Sequence, residues 1–362
     1  MDSSQEFDTF SYKFPVIKGI QAGREYYITM VPMRLIPNLF LFNEEDIPPE
    51  LRAQRRLNKS RIPALTNYLV NNYENYIFSS LTASIDRLVE FNPLPPENKN
   101  SKIGSITIPA DTKMVINDGQ HRRAAIIEAL KKKPELGYET ISVVFFIDTG
   151  LKRSQQMFSD LNRYAVKPSG SLSILYDNRD NFAKLVLEMI NEVPVFQDNV
   201  DFEKTSISNR SMKLFTLSSV YRATKSLLGS MESVENNGKE TAVDFWNEVT
   251  THMKPWMEFL KGQHSYILRQ ETVAVHDLTL QSLANVGSTL FSLYSDTWNT
   301  RLVKLEDINW NRGNLDWEGR AIVAGRLLKS YSNVVLTANY LKMKLGLQLT
   351  EKEQEYEAKI TR

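Results

Sequence analysis

Residues 113–127 read KMVINDGQHRRAAII. Lys113-Met114-Val115-Ile116 is short and apolar and predicts a strand, and AAIIEALKKK, from Ala124, predicts a helix with Ile126, Ile127 and Leu130 on one face. Between them stands Asn117-Asp118-Gly119-Gln120-His121-Arg122-Arg123. A strand that ends in Asp-Gly and passes at once into a helix leaves free backbone N–H groups at the helix start, where the macrodipole favours an anion. Gly119 permits a tight turn and close approach of a ligand. Arg122 and Arg123 occupy the first turn, where acidic residues suit the dipole better, and this points to a compensating anion such as a phosphate. Asp118 fits three roles: holding an arginine, orienting His121 or binding a divalent ion. His121 fits donation to phosphate or general acid work. A plainer reading fits the spacing equally well: Asp118 caps the helix, and the arginines are solvated or pair with Glu128.

Working outward, Ile141–Ile147 predicts a buried strand, followed by a helix with Met157, Phe158 and Leu161 on its inner face. Upstream, residues 1–25 read as a loose arm, Tyr26–Val31 as a strand and Leu35–Phe42 as an extended stretch broken by Pro37. Helices are predicted over Glu50–Leu57 and Pro63–Asn71, a strand over Ile77–Ile85 and an exposed proline-rich loop over Asn92–Ser105. Beyond about Asp177, helical spacing recurs at Phe182–Ile190, Leu217–Leu228, Phe245–Leu260, Leu278–Tyr294, Gly319–Leu328 and Asn333–Leu345. The expected fold class is α+β. It comprises an arm (1–25), an α+β domain (26–177) and a helical domain packed on it (178–362).

Lysine and arginine number 44 against 43 aspartate and glutamate, a net charge of +1, so any contact with DNA has to come from a local patch. The absence of cysteine excludes disulfides, thiolate metal sites and cysteine nucleophiles. No apolar run reaches the ~18–20 residues that span a bilayer, and MDSSQEFDTF lacks the pattern of a signal peptide. A cytoplasmic location is the expectation, with no membrane partner.

Arg52, Arg55, Arg56 and Lys59 recur at i, i+3, i+4 and i+7, with Arg61 beyond, and would form one cationic helical stripe. Such a stripe fits a DNA backbone, a solvated face, or a second wall of a nucleotide pocket. Lys204–Lys213 (KTSISNRSMK), with Arg222 and Lys225 on the following helix, carries the group types that bind phosphates but also suits a packed loop. Trp310 and Trp317 suit core anchors better than base-stacking platforms. His252, His264 and His276 lack metal-ligand spacing, so no metal is predicted.

The pentapeptide DGQHR is the signature of the DGQHR-domain family. Its strand–helix setting resembles the phosphate-binding arginine motif of the ParB/sulfiredoxin-like superfamily, whose ParB members bind a nucleotide. LRAQRRLNKSRI (51–62), QMFSDLNRYAVKPS (156–169), INWNRGNLDWEGRAIVAGRLL (308–328) and LTANYLKMKLGLQLTEKE (336–353) resemble blocks of the DndB family of DNA sulfur-modification regulators. The resemblance implies a ParB-like core and a repressor of DNA phosphorothioation genes whose DNA binding responds to ATP, with or without Mg²⁺. It makes Asp118, Gly119, Gln120, His121, Arg122 and Arg123 nucleotide or phosphate contacts, with Asn162 and Arg163 supporting them. Arg52, Arg55, Arg56, Lys59 and Arg61 are the candidate DNA contacts, with the nucleotide pocket as their alternative. Double-stranded promoter DNA, other sulfur-modification proteins and further copies of the chain are the implied partners. No Walker loop occurs, so any ATP use, weak hydrolysis included, differs from that of a P-loop enzyme. Two other classes stay open. One is a nuclease or nickase with a metal on Asp118, His121 and Asp148, and the other is a protein adaptor in a phosphorothioation-linked defence system.

Overall fold

Alternation decides the N-terminal architecture in a computed structural model that describes residues 10–40, 57–151, 153–163, 168–229 and 237–360. The chain divides into two compact units, Met1–Val166 and Lys167–Arg362. In the first, β1 (Ser11–Gln21), β2 (Arg24–Pro32), β3 (Leu81–Ile85), β4 (Glu90–Pro93), β5 (Ile103–Pro109), β6 (Met114–Asp118) and β7 (Thr140–Ile147) form one sheet, in the order β4-β5-β1-β2-β7-β3-β6. The sheet is mixed: β3 and β7 run parallel and the other neighbours antiparallel. Phe14, Val16, Val31, Leu81, Ala83, Ile85, Ile116, Val143 and Phe145 face one core with Leu69 of α2 (Ile62–Asn71) and Ile126 and Ala129 of α3 (Gln120–Lys132). On the opposite face α4 (Ser154–Arg163) reaches β6, with Met157 Sδ 3.7 Å from Asn117 Nδ2. That same amide donates to Ser84 Oγ at 2.7 Å, so a buried asparagine joins β6 to β3.

Several expectations are corrected here. The arm expected over residues 1–25 contains β1, whose Phe14 and Val16 are buried and whose Pro15 carbonyl accepts from Thr29 Oγ1 at 2.7 Å. Pro37 does not interrupt a strand. It opens the short helix Ile36–Leu39 (α1), where its fixed φ suits the first turn. The loop expected over Asn92–Ser105 has strands at both ends, since β4 and β5 pair antiparallel. Leu161, expected on an inner face, is 44% exposed. The helix expected over Glu50–Leu57 lies, apart from Leu57, outside the described residues.

In the second unit most predicted helices are present: Asn181–Glu192, Leu217–Leu228, Asp277–Leu293 and Tyr331–Lys344. Phe245–Leu260 is two helices, Gly238–His252 and Lys254–Leu260, the second opened by Pro255. Gly319–Leu328 is no helix. Ile322–Val323 and Arg326–Leu327 form a small hairpin across Ala324 and Gly325, both at positive φ, as a primed turn requires. Phe196, Phe215, Trp246 and Trp256 interlock edge to face or tilted at the centre of this unit. Gly287 allows the helix Asp277–Leu293 to lie against its neighbours, since a Cβ there would stand 2.4 Å from Leu227 Cδ1 and 2.6 Å from the Phe245 ring. Gly287→Ala is expected to destabilise this unit by about 1–3 kcal/mol through overpacking, read from its urea midpoint.

His276 Nε2 donates to a backbone carbonyl, Arg269 O, at 3.1 Å. Burial pushes its pKa down to about 4, and the nearby cations Arg312, Lys329 and Arg269 add to the fall. The folded state therefore holds a neutral imidazole while the unfolded chain, with an ordinary value near 6.5, gains a proton. This contribution is complete above about pH 6.5 and is lost as the pH falls toward 4, to a limit of about 3 kcal/mol. Urea unfolding at pH 7 and pH 4.5 should show a smaller acid loss in His276→Gln than in the parent. Equal losses would mean that the imidazole contributes nothing. Among the described residues, no helix is long and apolar enough to cross a membrane.

Candidate phosphate site

The turn between β6 and α3 is built by a glycine that no other residue replaces without strain. Gly119 is the N-cap of α3 at φ +102° and ψ 16°. A Cβ at this position would lie 2.5 Å from Leu81 Cδ2 and 3.1 Å from the Arg122 guanidinium. The partner strand has a register shift between Thr82 and Ala83, opposite the end of β6, a feature common beside functional sites. No side chain caps α3 and no acid occupies its first turn, so its leading N–H groups keep their pull on an anion.

This geometry removes the plainer reading of the motif. Asp118 does not cap the helix. It accepts from Arg122 Nη2 at 2.6 Å, with the arginine side chain 16% exposed and the aspartate 44% exposed. Arg122 Nη1 also donates to Ser79 Oγ. Glu128 takes neither arginine and pairs with Lys131 at 2.7 Å. Arg123 donates through Nη2 to the Phe40 carbonyl, while burial lowers its pKa from the usual guanidinium range. Two donors on this face, Arg123 Nε and Gln120 Nε2, are buried without a hydrogen-bond partner among the described residues. Buried donors left unpaired cost roughly 1–3 kcal/mol each, and an arriving oxyanion would satisfy them. His121 Nε2 accepts from the Asn58 backbone N–H at 3.1 Å. The donor set, an uncapped helix start with an arginine and an amide carrying free buried N–H groups, thus fits a phosphate.

Asn162 and Arg163 end α4. Asp148 fixes the start of that helix by accepting from Arg153 N and Ser154 Oγ, and Met157 then lies against Asn117, so α4 heads toward the motif end of β6. Arg163 is exposed there, and the side chain of Asn162 lies outside the described residues. The same registers separate Asp148 from Asp118. Asp118 stands opposite Thr82, whereas the Asp148 N–H donates to Ile85 O. Three residues of strand put them about 10 Å apart along the sheet direction, and Asp148 is already committed to the start of α4. A metal shared by Asp118, His121 and Asp148 is not assembled.

Of the basic stripe, Arg52, Arg55 and Arg56 lie outside the described residues. Lys59 and Arg61 are exposed on a 3-10 turn, Lys59–Arg61. Asn58, at φ −79° and ψ 96°, is extended and caps that turn by accepting from Ser60 N at 3.1 Å. One continuous helical face from Arg52 to Lys59 is therefore corrected, because an extended cap intervenes. The Lys204–Lys213 loop is moored from inside: Arg269, 4% exposed, donates to the carbonyls of Ser208, Asn209, Ser211 and Lys213. Arg222 pairs with Asp277 at 2.9 Å. Trp310 and Trp317 are buried and stack on each other at 5.5 Å, which makes them core anchors. Sequence reasoning missed Ser79, Phe40 and Asn58, which meet the motif only through the fold, and Arg269, which reads as a surface arginine.

The strand, positive-φ glycine and uncapped, arginine-bearing helix belong to a mixed α+β protein. The chain belongs to the DndB family, DNA-sulfur modification-associated, whose family model matches residues 14–348. That membership ties the protein to DNA sulfur modification. Neither a curated protein nor a solved structure matches it.

Proposed function

We propose that the protein is a DNA-binding transcriptional repressor of DNA phosphorothioate-modification genes, its hold on DNA modulated by ATP at the Asp118–Arg123 turn. The observation that carries this reading is the uncapped start of α3 with Gly119 at positive φ and two buried, unpaired donors beside it. Gly119, Gln120 and Arg123 would hold the phosphates, with Arg122 fixed by Asp118 and adding charge, and with Asn162 and Arg163 of α4 as supporting residues. Mg²⁺ would accompany the nucleotide as its counter-ion. The core would be a ParB-like one, the location cytoplasmic, and the partners promoter DNA, further copies of the chain and other sulfur-modification proteins. Lys59 and Arg61 would meet the DNA backbone together with Arg52, Arg55 and Arg56.

The test is fluorescence anisotropy with duplex DNA from upstream of the protein's own operon against scrambled DNA, with and without ATP and Mg²⁺. Preferential binding that ATP alters is expected, and equal or absent binding in all conditions would remove the repressor reading and favour an adaptor. Arg122→Ala should weaken ATP binding by about 1.5–3 kcal/mol, the range for a hydrogen bond to a charged group. Equilibrium dialysis of the folded variant reads this directly, and unchanged affinity would release Arg122 from the site.

A further inference from the structure

Two residues of the motif bond to chain outside the turn. Arg123 Nη2 donates to the carbonyl of Phe40, and His121 Nε2 accepts from the N–H of Asn58. Phe40 and Asn58 flank the stretch that carries Arg52, Arg55 and Arg56, and Asn58 is itself the cap of the turn that presents Lys59 and Arg61. The first turn of α3 therefore holds Phe40 and Asn58, the described residues on either side of the stretch with Arg52, Arg55 and Arg56, and Asn58 leads directly into the cationic turn. We propose that His121 and Arg123 are positioning residues that couple occupancy of the α3 turn to the placement of the cationic turn Lys59–Arg61. This inference rests on the phosphate reading given above.

The chemistry makes one of the two engagements competitive. Arg123 can meet a phosphate through its Nε, unpaired among the described residues, while Nη2 stays on the Phe40 carbonyl, so the competition falls on His121. An imidazole nitrogen that accepts from Asn58 has no proton to give on that side. For His121 to donate from Nε2 to a phosphate it must take up a proton and release the Asn58 N–H. A ligand at the turn thus loosens Asn58, frees the cap of the basic turn and weakens the grip on DNA. ATP acts as a releaser, and the ligand-free protein is the DNA-binding form.

The experiment compares full-length parent, His121→Ala and His121→Gln, each first checked for folding by its thermal transition. Amide exchange at Asn58 is followed by NMR and DNA affinity by anisotropy. Glutamine keeps an acceptor for the Asn58 N–H, whereas alanine does not. His121→Ala should speed exchange at Asn58 and weaken DNA binding by about 3–10-fold, the effect of one hydrogen bond, with ATP adding little more. His121→Gln should restore both toward the parent. In the parent, ATP should speed exchange at Asn58. Alanine and glutamine variants that behave alike, or exchange at Asn58 that is unchanged in His121→Ala, overturn the positioning role. ATP that binds by equilibrium dialysis yet leaves Asn58 exchange unaltered overturns the coupling. ATP that fails to bind overturns the phosphate reading itself, so the two failures are told apart.

Discussion

Gly119→Val is expected to destabilise the N-terminal unit by about 2–4 kcal/mol and to abolish anion binding at the β6–α3 turn. Two separate effects add. The backbone sits at φ +102°, a region that a β-branched residue essentially never adopts. The new side chain would also begin 2.5 Å from Leu81 Cδ2, on a strand residue with no exposed surface. Relief requires β3 to shift or α3 to swing away from β6, and either movement displaces the N–H groups and arginines of the first turn. Urea unfolding read by far-ultraviolet circular dichroism gives the first effect, and equilibrium dialysis with ATP gives the second. A Gly119→Val protein of parental stability would mean that the left-handed turn is dispensable. Gly119→Ala, with the same Cβ contact and no branch, should fall between.

Trp246→Ala should cost the C-terminal unit about 3–5 kcal/mol, the range for removing a fully buried large aromatic. Its ring meets Phe245 at 5.1 Å, Phe196 at 5.5 Å and Trp256 at 6.3 Å between centroids, so one truncation opens a cavity on three sides. The indole N–H also donates to Thr224 Oγ1 at 3.3 Å, and Thr224 has no exposed surface. Trp246→Phe keeps most of the packing and should lose clearly less. The measurement is the urea midpoint of the tryptophan fluorescence transition. A loss below about 1 kcal/mol for the alanine variant would show that the unit is held together elsewhere.

How much of this was legible depends on whether local pattern and tertiary context agree. The β6–α3 junction was readable because an apolar strand, a glycine and an amphipathic helix follow one another without conflict. The turn residues Asp118–Arg123 stand where that pattern puts them. β1 was missed because Pro15 reads as a breaker, although Phe14 and Val16 keep the period of two on either side of it. Short apolar runs suit both periods, so the pattern predicts a helix where Ile322–Leu327 forms a hairpin, and Gly325 is the signal for the turn. The basic stripe has the arithmetic of a helix, but Asn58, a residue that caps by nature, ends that arithmetic before Lys59. The loop at 204–213 carries phosphate-binding groups in its side chains. Nothing local announces that Arg269, far along the chain, would take hold of its carbonyls.

The strand order has a consequence for synthesis. β2 and β3 follow each other along the chain, yet β7 lies between them and pairs with both. Neither half of the sheet is therefore joined to the other until Ile147 has left the ribosome. Until then β2 and β3 each present a bare edge, and the parallel pairing that closes the gap spans a long loop of chain, a slow step in any folding reaction. The turn that carries the DGQHR sequence is made before this closure, on β6, which is anchored to β3 alone. Leu81, the neighbour that a Cβ at Gly119 would strike, lies on that same β3, so the turn and its partner strand are both made before β7 joins the two halves.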